Sequence, residues 1–409
     1  MRLISPIKKL HCPFCFHRFH LSEAPTRRRA NHGASEPDLR IAAFLDIEPP
    51  ELGPVEDDSP ETAWQRAWRR CVVSDADVDR GRKVCPNCHL DLPHKIANGE
   101  LQPETIAIIG ARNAGKSNYL GVLLHLLKER YQHEVDFLFT PEPTFDISQQ
   151  KSVLSTRLLK RRYGCLFDVQ SPKTVAQTKS AEGNPDIRIP LIYRLTFRAS
   201  FAGIRTKRCI DLILFDAAGE DLEQPDVVEH FYRYVSAASG IVFLLDPLEL
   251  PDLEDRLEDG DSRANSRTDV DPAEVIKIVL DLFETRAGLQ AHTNLRIPTA
   301  FALAKADLLD GLVHPSSLIR RDSLHECGFN VEDCAQVSEE IREHLCQWGG
   351  STLVHEIAAR FSDHAFFAVS ALGQSPSEDG ALEPISARRI GDPLLWIFWR
   401  LGYLSAMSS

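Results

Sequence analysis

The sequence predicts an α/β fold, a mostly parallel sheet flanked by helices, with a small cysteine-paired module ahead of it. Three observations predict it. From Glu104 onward short apolar runs alternate with helix-like stretches, a glycine-containing loop joins the first run to the first stretch, and two C-P-x-C pairs lie upstream. At 409 residues the chain is long enough for two or three structural units. The boundary falls near residue 100, giving a module over 1–100 with a long, partly flexible insert and an α/β domain over 101–409.

The elements follow in order. Apolar runs bounded by turn signals at Thr105–Ile109, Leu191–Phe197, Cys209–Phe215, Gly240–Leu245, Ala300–Ala304 and Ala365–Val369 read as buried strands. Helices are expected between them, at Lys116–Arg130, Ser148–Arg162, Asp226–Ala237, Pro272–Thr285 and Val331–Trp348. The apolar run Pro393–Leu404 is interrupted by Arg400 and too short for a bilayer, so it reads as a C-terminal core helix. In the upstream insert, Trp64 and Trp68 share one helical face, while Pro49–Pro60 is acidic, Pro-rich and loop-like. The acidic stretch Pro251–Asp271 reads as a solvated insertion.

Composition excludes several classes. Hydrophobic content of 43% with 26% charged residues is that of a globular protein. A net charge of −12 argues against a whole-chain electrostatic grip on nucleic acid or acidic lipid, although Arg27, Arg28 and Arg29 form a local basic run. Met1–Leu10 contains no secretory apolar stretch, and the 10 cysteines fall as two close pairs and six scattered residues. Thiols and a metal site are expected rather than a disulfide framework, and the cytoplasm is the expected compartment.

Gly110-Ala111-Arg112-Asn113-Ala114-Gly115-Lys116-Ser117 matches G-x-x-x-x-G-K-[ST] between a predicted strand and a predicted helix opening at Asn118. Glycines let such a loop turn backbone N–H groups toward phosphate oxygens, and the helix N terminus adds its dipole. Lys116 is placed to reach the β- and γ-phosphates, Ser117 to ligate Mg²⁺, and Asn113, Ala114, Gly115 and Asn118 to line the nucleotide. The motif alone does not separate GTPases from ATPases or small-molecule kinases. Further along, Asp211–Phe215 is an apolar run leading into Asp216-Ala217-Ala218-Gly219, a D-x-x-G motif. Asp216 suits a water-mediated hold on Mg²⁺, and Gly219 can offer its N–H to the γ-phosphate.

Lys305-Ala306-Asp307 follows the run Thr299–Ala304, and Ser370-Ala371-Leu372-Gly373 follows Ala365–Val369. With these residues the chain resembles the translation-factor and Ras-like class of P-loop GTPases over about residues 104–403. The resemblance implies that Asp307 accepts hydrogen bonds from guanine N1–H and N2–H₂ and that the Lys305 stem packs on the base. It also implies that backbone N–H groups at Ser370 and Ala371 contact guanine O6. Adenine lacks the donor pair, and an unpaired buried carboxylate is costly. Ala304 stands where the family carries Asn or Thr. With the upstream Cys pairs, the chain is also similar to the bacterial double-GTPase group implicated in conflict systems.

The resemblance further implies a switch threonine completing the Mg²⁺ shell; Thr174 is preferred and Thr178 comes second. Glu220 occupies the position after D-x-x-G where a water-orienting Gln is usual, so slow or partner-stimulated turnover is expected. Arg112, where many relatives carry a small residue, either supplies charge to the transition state or obstructs an incoming arginine finger.

Cys12-Pro13-Phe14-Cys15 and Cys85-Pro86-Asn87-Cys88 form two matching knuckles. The two-residue gap lets both sulfurs of a pair reach one ion, and four thiolates suit a closed structural Zn²⁺ site. A redox C-x-x-C is the alternative, and His11, His17, His89 and His94 are possible substitute ligands. The gap of about seventy residues between pairs is long, yet closure entropy grows slowly with length. The expected activity is GTP hydrolysis to GDP in a molecular switch that presents its state to a protein partner, another GTPase or an effector. A GTP-bound scaffold without hydrolysis and a P-loop ATPase or kinase are the rival readings.

Overall fold

The computed structural model describes residues 2–3, 9–29, 35–56, 72–73, 81–101, 103–111, 113–175, 188–201, 204–215, 225–250, 252–253, 272–287, 294–326, 328–377 and 380–407. Its centre is a seven-stranded sheet. The strands are β1 (Pro103–Gly110), β2 (Phe137–Pro141), β3 (Leu191–Phe201), β4 (Ile204–Leu214), β5 (Ala238–Leu245), β6 (Thr299–Leu303) and β7 (His364–Ala368), in the order β2-β3-β4-β1-β5-β6-β7. The ladders β4–β1–β5–β6–β7 are parallel, and β2–β3–β4 are antiparallel. Strands β1, β5, β6 and β7 are almost wholly buried, which is why the sequence writes them as unbroken apolar runs.

From β1 the chain first builds outward to one side, through β3 and β4, and then crosses to the other side with β5. In open α/β sheets ligands bind beyond the carboxyl ends of strands at such a reversal. Register aligns those ends: Gly110 pairs with Leu244, Leu245 with Leu303, and Leu303 with Ala368. The phosphate-loop, Lys305–Asp307 and Ser370–Gly373 motifs therefore leave the sheet at one edge.

The main helices are α1 (Lys116–Leu126), α2 (Ser155–Tyr163), α3 (Pro225–Ser236), α4 (Pro272–Ala287), α5 (Val331–Gln347), α6 (Ser351–Arg360) and α7 (Asp392–Arg400). Five of them begin within one residue of the expected position: α1, α3, α4, α5 and α7. The stretch Ser148–Arg162, expected as one helix, is instead a turn, a strand and a helix. Lys151–Leu154 is a strand paired with Pro143–Asp146, and Asp146 caps a short turn between them through the Ser148 N–H. The helix starts only at Ser155, whose hydroxyl donates to the Glu142 carbonyl and accepts from the Ile192 N–H. The first helix covers the whole of the expected Lys116–Arg130: after Leu126 it widens into a π-helical turn over Leu127–Tyr131, which buries both Leu127 and Tyr131, and it runs on to Glu134. The Tyr131 hydroxyl then accepts from the Gly391 N–H at 3.0 Å.

Buried charge is paired. Arg194 bridges Glu142 (2.6 Å) and Asp211 (2.7 Å) on the antiparallel side of the sheet. Burial pushes Glu142 up to about 7 and also raises Asp211, against the attraction of Arg194. Arg389, 1% exposed, pairs with Asp333 at 2.7 Å and Asp392 at 2.8 Å. The His325 ring nitrogen Nε2 stands 3.1 Å from Asp392, while Nδ1 accepts from the Asn330 N–H. No helix among the described residues is long and apolar enough to cross a membrane.

Candidate functional site

The phosphate loop is shaped by backbone. Asn113 (φ 62°) and Gly115 (φ 81°) both occupy the left-handed region, turning the chain from β1 into α1. At Gly110 the constraint is packing: a Cβ there would lie 2.7 Å from the Leu244 carbonyl oxygen of β5. Lys116 curls back over the loop, its Nζ donating to Gly110 O at 2.9 Å and Ala111 O at 2.7 Å. Ala114 is fully buried, and no described side chain caps the N terminus of α1. This arrangement can present a positive charge and helix-terminal N–H groups to an anion.

Two strand positions away, near 10 Å by ordinary sheet spacing, a second unit is knit by side chains (~4.8 Å per strand). Lys305 sits at φ 51°, and its Nζ pairs with Asp246 at 2.6 Å. Asp246 follows β5, is buried, and accepts from the Leu248 N–H to open the next turn. Ser370 is 1% exposed, and its hydroxyl donates to Asp307 Oδ1 at 2.6 Å while accepting from the Gly373 N–H at 2.9 Å. Among the described residues Asp307 Oδ2 has no hydrogen-bond partner. Backbone bonds from Ala306 N to Val369 O and from Val369 N to Leu303 O lock the two loops together. Ser370 and Arg388 exchange backbone bonds, and Arg388 holds Asp310 with two nitrogens at 2.8 and 3.2 Å. The neighbouring Arg389 cluster anchors that bridged segment in the interior.

The preferred switch threonine, Thr174, lies beside this unit. Its N–H donates to Gly380 O, Lys173 bridges to Ala381, and the next N–H, of Val175, donates to Asn118 Oδ1 at 3.1 Å. Asn118, expected at the nucleotide, thus also fastens the 172–175 segment to the first turn of α1. Ser117 and Ala371 are half-buried at the same edge. Arg112, Thr178, Asp216, Gly219 and Glu220 lie outside the described residues, as do Trp64, Trp68 and most of Pro251–Asp271.

Asp246 is the residue that sequence reasoning missed. The available signal was an acid directly after a predicted strand, in the same register as the phosphate loop and the K-A-D motif.

The N-terminal knuckles meet as expected. The sulfurs of Cys12, Cys15, Cys85 and Cys88 all lie within 4.8 Å of one another and are buried. Cys12 and Cys88 stand 3.7 Å apart, Cys15 and Cys85 3.6 Å. Four ligands at about 2.3 Å from one tetrahedral ion would stand roughly 3.8 Å apart, so the donor set fits Zn²⁺. Backbone N–H groups of Phe14 and Asn87 point at Cys12 and Cys85 sulfurs, at 3.4 and 3.3 Å. Burial pushes the Cys12 and Cys88 thiols well up, and a bound cation would offset that burial by stabilising the thiolates. None of the four histidines considered as substitutes joins the cluster among the described residues. His89 instead faces Asp38 at 3.1 Å, and Arg27 pairs with the same carboxylate at 2.9 Å. Despite burial, hydrogen bonds from His89 and Arg27 hold Asp38 below the usual carboxylate range. Asp38 in turn caps the helix Leu39–Leu45, pinning part of the long insert to the second knuckle.

No protein-family model matches the chain. A protein of Mycolicibacterium smegmatis carrying the provisional name ESX-1 scaffolding and assembly protein SaeC is 27% identical over 349 residues, covering 79% of this chain and 80% of that protein. Among solved structures, the chain is similar to the signal recognition particle receptor SRb-GTP/SRX complex from Chaetomium thermophilum, with 15% identity, a TM-score of 0.29, and coverage of 74% of this chain and 99% of that one. It is also similar to the Ski7 GTPase-like domain of S. cerevisiae bound to GDP and inorganic phosphate, with 14% identity, a TM-score of 0.31, and coverage of 75% and 51%. At such scores neither likeness carries the fold assignment, which rests on strand order and register.

Proposed function

We infer that the chain is a Mg²⁺-dependent guanine-nucleotide-binding protein that hydrolyses GTP slowly and acts as a nucleotide-dependent switch for a protein partner. The observation that carries this reading is Asp307, held on one oxygen by Ser370 with its other oxygen unengaged, at the same sheet edge as the Lys116 loop. A carboxylate oriented this way matches the two adjacent donors of guanine and leaves adenine a poor ligand.

In this reading Lys116 and the N–H groups of Asn113, Ala114 and Gly115 hold the phosphates. Ser117, Thr174 and Asp216 would hold Mg²⁺, which supplies charge neutralisation between the phosphates. Lys305, kept in line by Asp246, supports the base, and Ser370 and Ala371 close over its edge. Glu220 orients water at the cost of extra negative charge near the γ-phosphate, and Arg112 supplies the opposing charge. The four cysteines hold Zn²⁺ in a module over 1–100 that stands against a nucleotide domain over 101–409, in a cytoplasmic protein of the double-GTPase kind.

A second reading is a nucleotide-bound scaffold with negligible turnover. Glu220 in place of Gln favours it, as does the scaffolding and assembly name of the Mycolicibacterium smegmatis relative. Asp307 and Ser370 argue against the third, an ATPase or kinase. Equilibrium binding and single-turnover assays with GTP and ATP, each with Mg²⁺ or EDTA, separate the three. The switch reading expects a strong Mg²⁺-dependent preference for GTP with slow phosphate release. Equal affinity for both nucleotides would contradict base recognition, and tight GTP binding with no phosphate release would favour the scaffold.

A further inference from the structure

We propose that Phe16, the residue directly after the first cysteine knuckle, is a positioning residue for the nucleotide site, so that metal loading of the knuckle sets how tightly nucleotide is held. The proposal rests on the nucleotide reading above but on a different set of contacts. Phe16 is 6% exposed and adopts φ 57°, a backbone conformation that a bulky side chain rarely takes. The knuckle imposes it: Phe16 N donates to Cys12 O at 3.1 Å, and Cys12 N to His17 O at 2.9 Å. At the equivalent place in the second knuckle His89 also has φ 57°, but its ring serves Asp38 and the insert.

The Phe16 ring leaves its own module and enters the nucleotide domain. Its centroid lies 5.3 Å from Phe215 and 5.8 Å from Tyr234, and those two rings are 5.0 Å apart. Phe215 is the residue immediately before Asp216 of D-x-x-G, and Tyr234 belongs to α3, the helix that follows this motif. One aromatic side chain from the knuckle therefore touches both elements that flank the γ-phosphate motif in the sequence.

Tyr234 extends the connection to the phosphate loop. Among the described residues, strands β1 and β4 pair over three positions, Pro103–Thr105 with Asp211–Ile213. Beyond that point the Tyr234 hydroxyl donates to Ile106 O at 2.9 Å and accepts from the Ile108 N–H at 3.0 Å. It takes the place of a strand partner for β1 just before the loop begins, and both backbone groups need it because they are buried. A knuckle that relaxes on metal loss withdraws Phe16 from this wedge and loosens β1, Phe215 and α3 together. Coupling through such a packed contact ordinarily reaches several-fold to over a hundredfold in affinity.

The test uses the full chain purified with its metal. Dissociation of a fluorescent GDP analogue is followed for the wild type, Phe16→Ala, Phe16→Leu and Tyr234→Phe, alongside metal content. Phe16→Ala is expected to keep the metal and release the analogue roughly five- to tenfold faster, with Phe16→Leu in between and Tyr234→Phe shifted the same way. Metal-retaining Phe16→Ala with a wild-type rate overturns the proposal. Hydrogen exchange on the wild type gives a readout independent of nucleotide and of how the variants fold. Chelation should speed exchange in α3 while leaving α5 unchanged, and unchanged α3 protection overturns the proposal. If the wild type holds no guanine nucleotide, the nucleotide reading fails, and the exchange result alone decides the role of Phe16.

Discussion

The two ends of the candidate pocket are built by different means. At the Asp307 end, side chains do the organising: Ser370 fixes the carboxylate, Asp246 fixes Lys305, and Arg388 and Arg389 tie the segment bridged to Ser370 to Asp310 and to the buried Asp392. At the Lys116 end the shape comes from backbone, two left-handed residues and a glycine that admits β5, with the lysine resting on loop carbonyls. Base selectivity and phosphate grip should therefore reside at opposite ends. Preorganised side chains favour discrimination between bases, because a mismatched ligand leaves polar groups unpaired. A backbone cradle grips any polyphosphate and is indifferent to the base.

Substitutions at each end test this division. The largest effect is expected from Lys116→Ala, which should weaken GTP and ATP alike by roughly a hundredfold or more, since a charge-assisted contact is lost. Isothermal titration with both nucleotides would show whether the loss is uniform; a loss confined to GTP would break the division. Ser370→Ala should act at the other end only. Removing the hydroxyl that holds Asp307 is expected to cost GTP about tenfold, on the order of 1–1.5 kcal/mol, and to leave ATP unchanged. An equal drop for both would place Ser370 in general packing rather than base reading.

The smallest effect should separate the ends by pH. Glu142 shares Arg194 with Asp211 of β4, the strand that leads toward D-x-x-G, and burial raises it to about 7. A carboxyl raised in the folded state stabilises the fold fully below its unfolded value, and that contribution is lost as pH rises through about 7. Melting temperature should therefore fall between pH 5 and pH 8, by a few degrees for ~1 kcal/mol in a chain of this size. Glu142→Gln should flatten the fall without altering the ratio of GTP to ATP affinity. A slope unchanged by this substitution would remove Glu142 as its source.

Much of this was legible in the sequence because burial on both faces writes strands as apolar runs. Strands β5, β6 and β7 begin within two residues of expectation for that reason. Strand β2 was not legible: it is short, ends in a proline and sits at the sheet edge with Leu138 exposed, so it lacks that signature. The Ser148–Arg162 stretch is rich in Gln, Lys, Leu and Arg, and pairing with Pro143–Asp146 makes Lys151–Leu154 a strand. The cysteine cluster could be read from two knuckles alone, since ligand chemistry is local. Asp246 could have been read from its place after a strand, but its partner Lys305 is 59 residues away. The wedge of Phe16 against Phe215 and Tyr234 joins residues some two hundred positions apart, and no periodicity or motif encodes such a contact.

The proposed role of Asp307 as reader of a guanine edge is open to a single substitution that exchanges one carboxylate oxygen for an amide. Competition binding with GTP, XTP and ATP on Asp307→Asn should show GTP affinity falling by roughly a hundredfold while XTP gains, because the amide offers a donor where xanthine presents a carbonyl. A variant that keeps wild-type GTP affinity and gains nothing for XTP would mean that Asp307 does not contact the base.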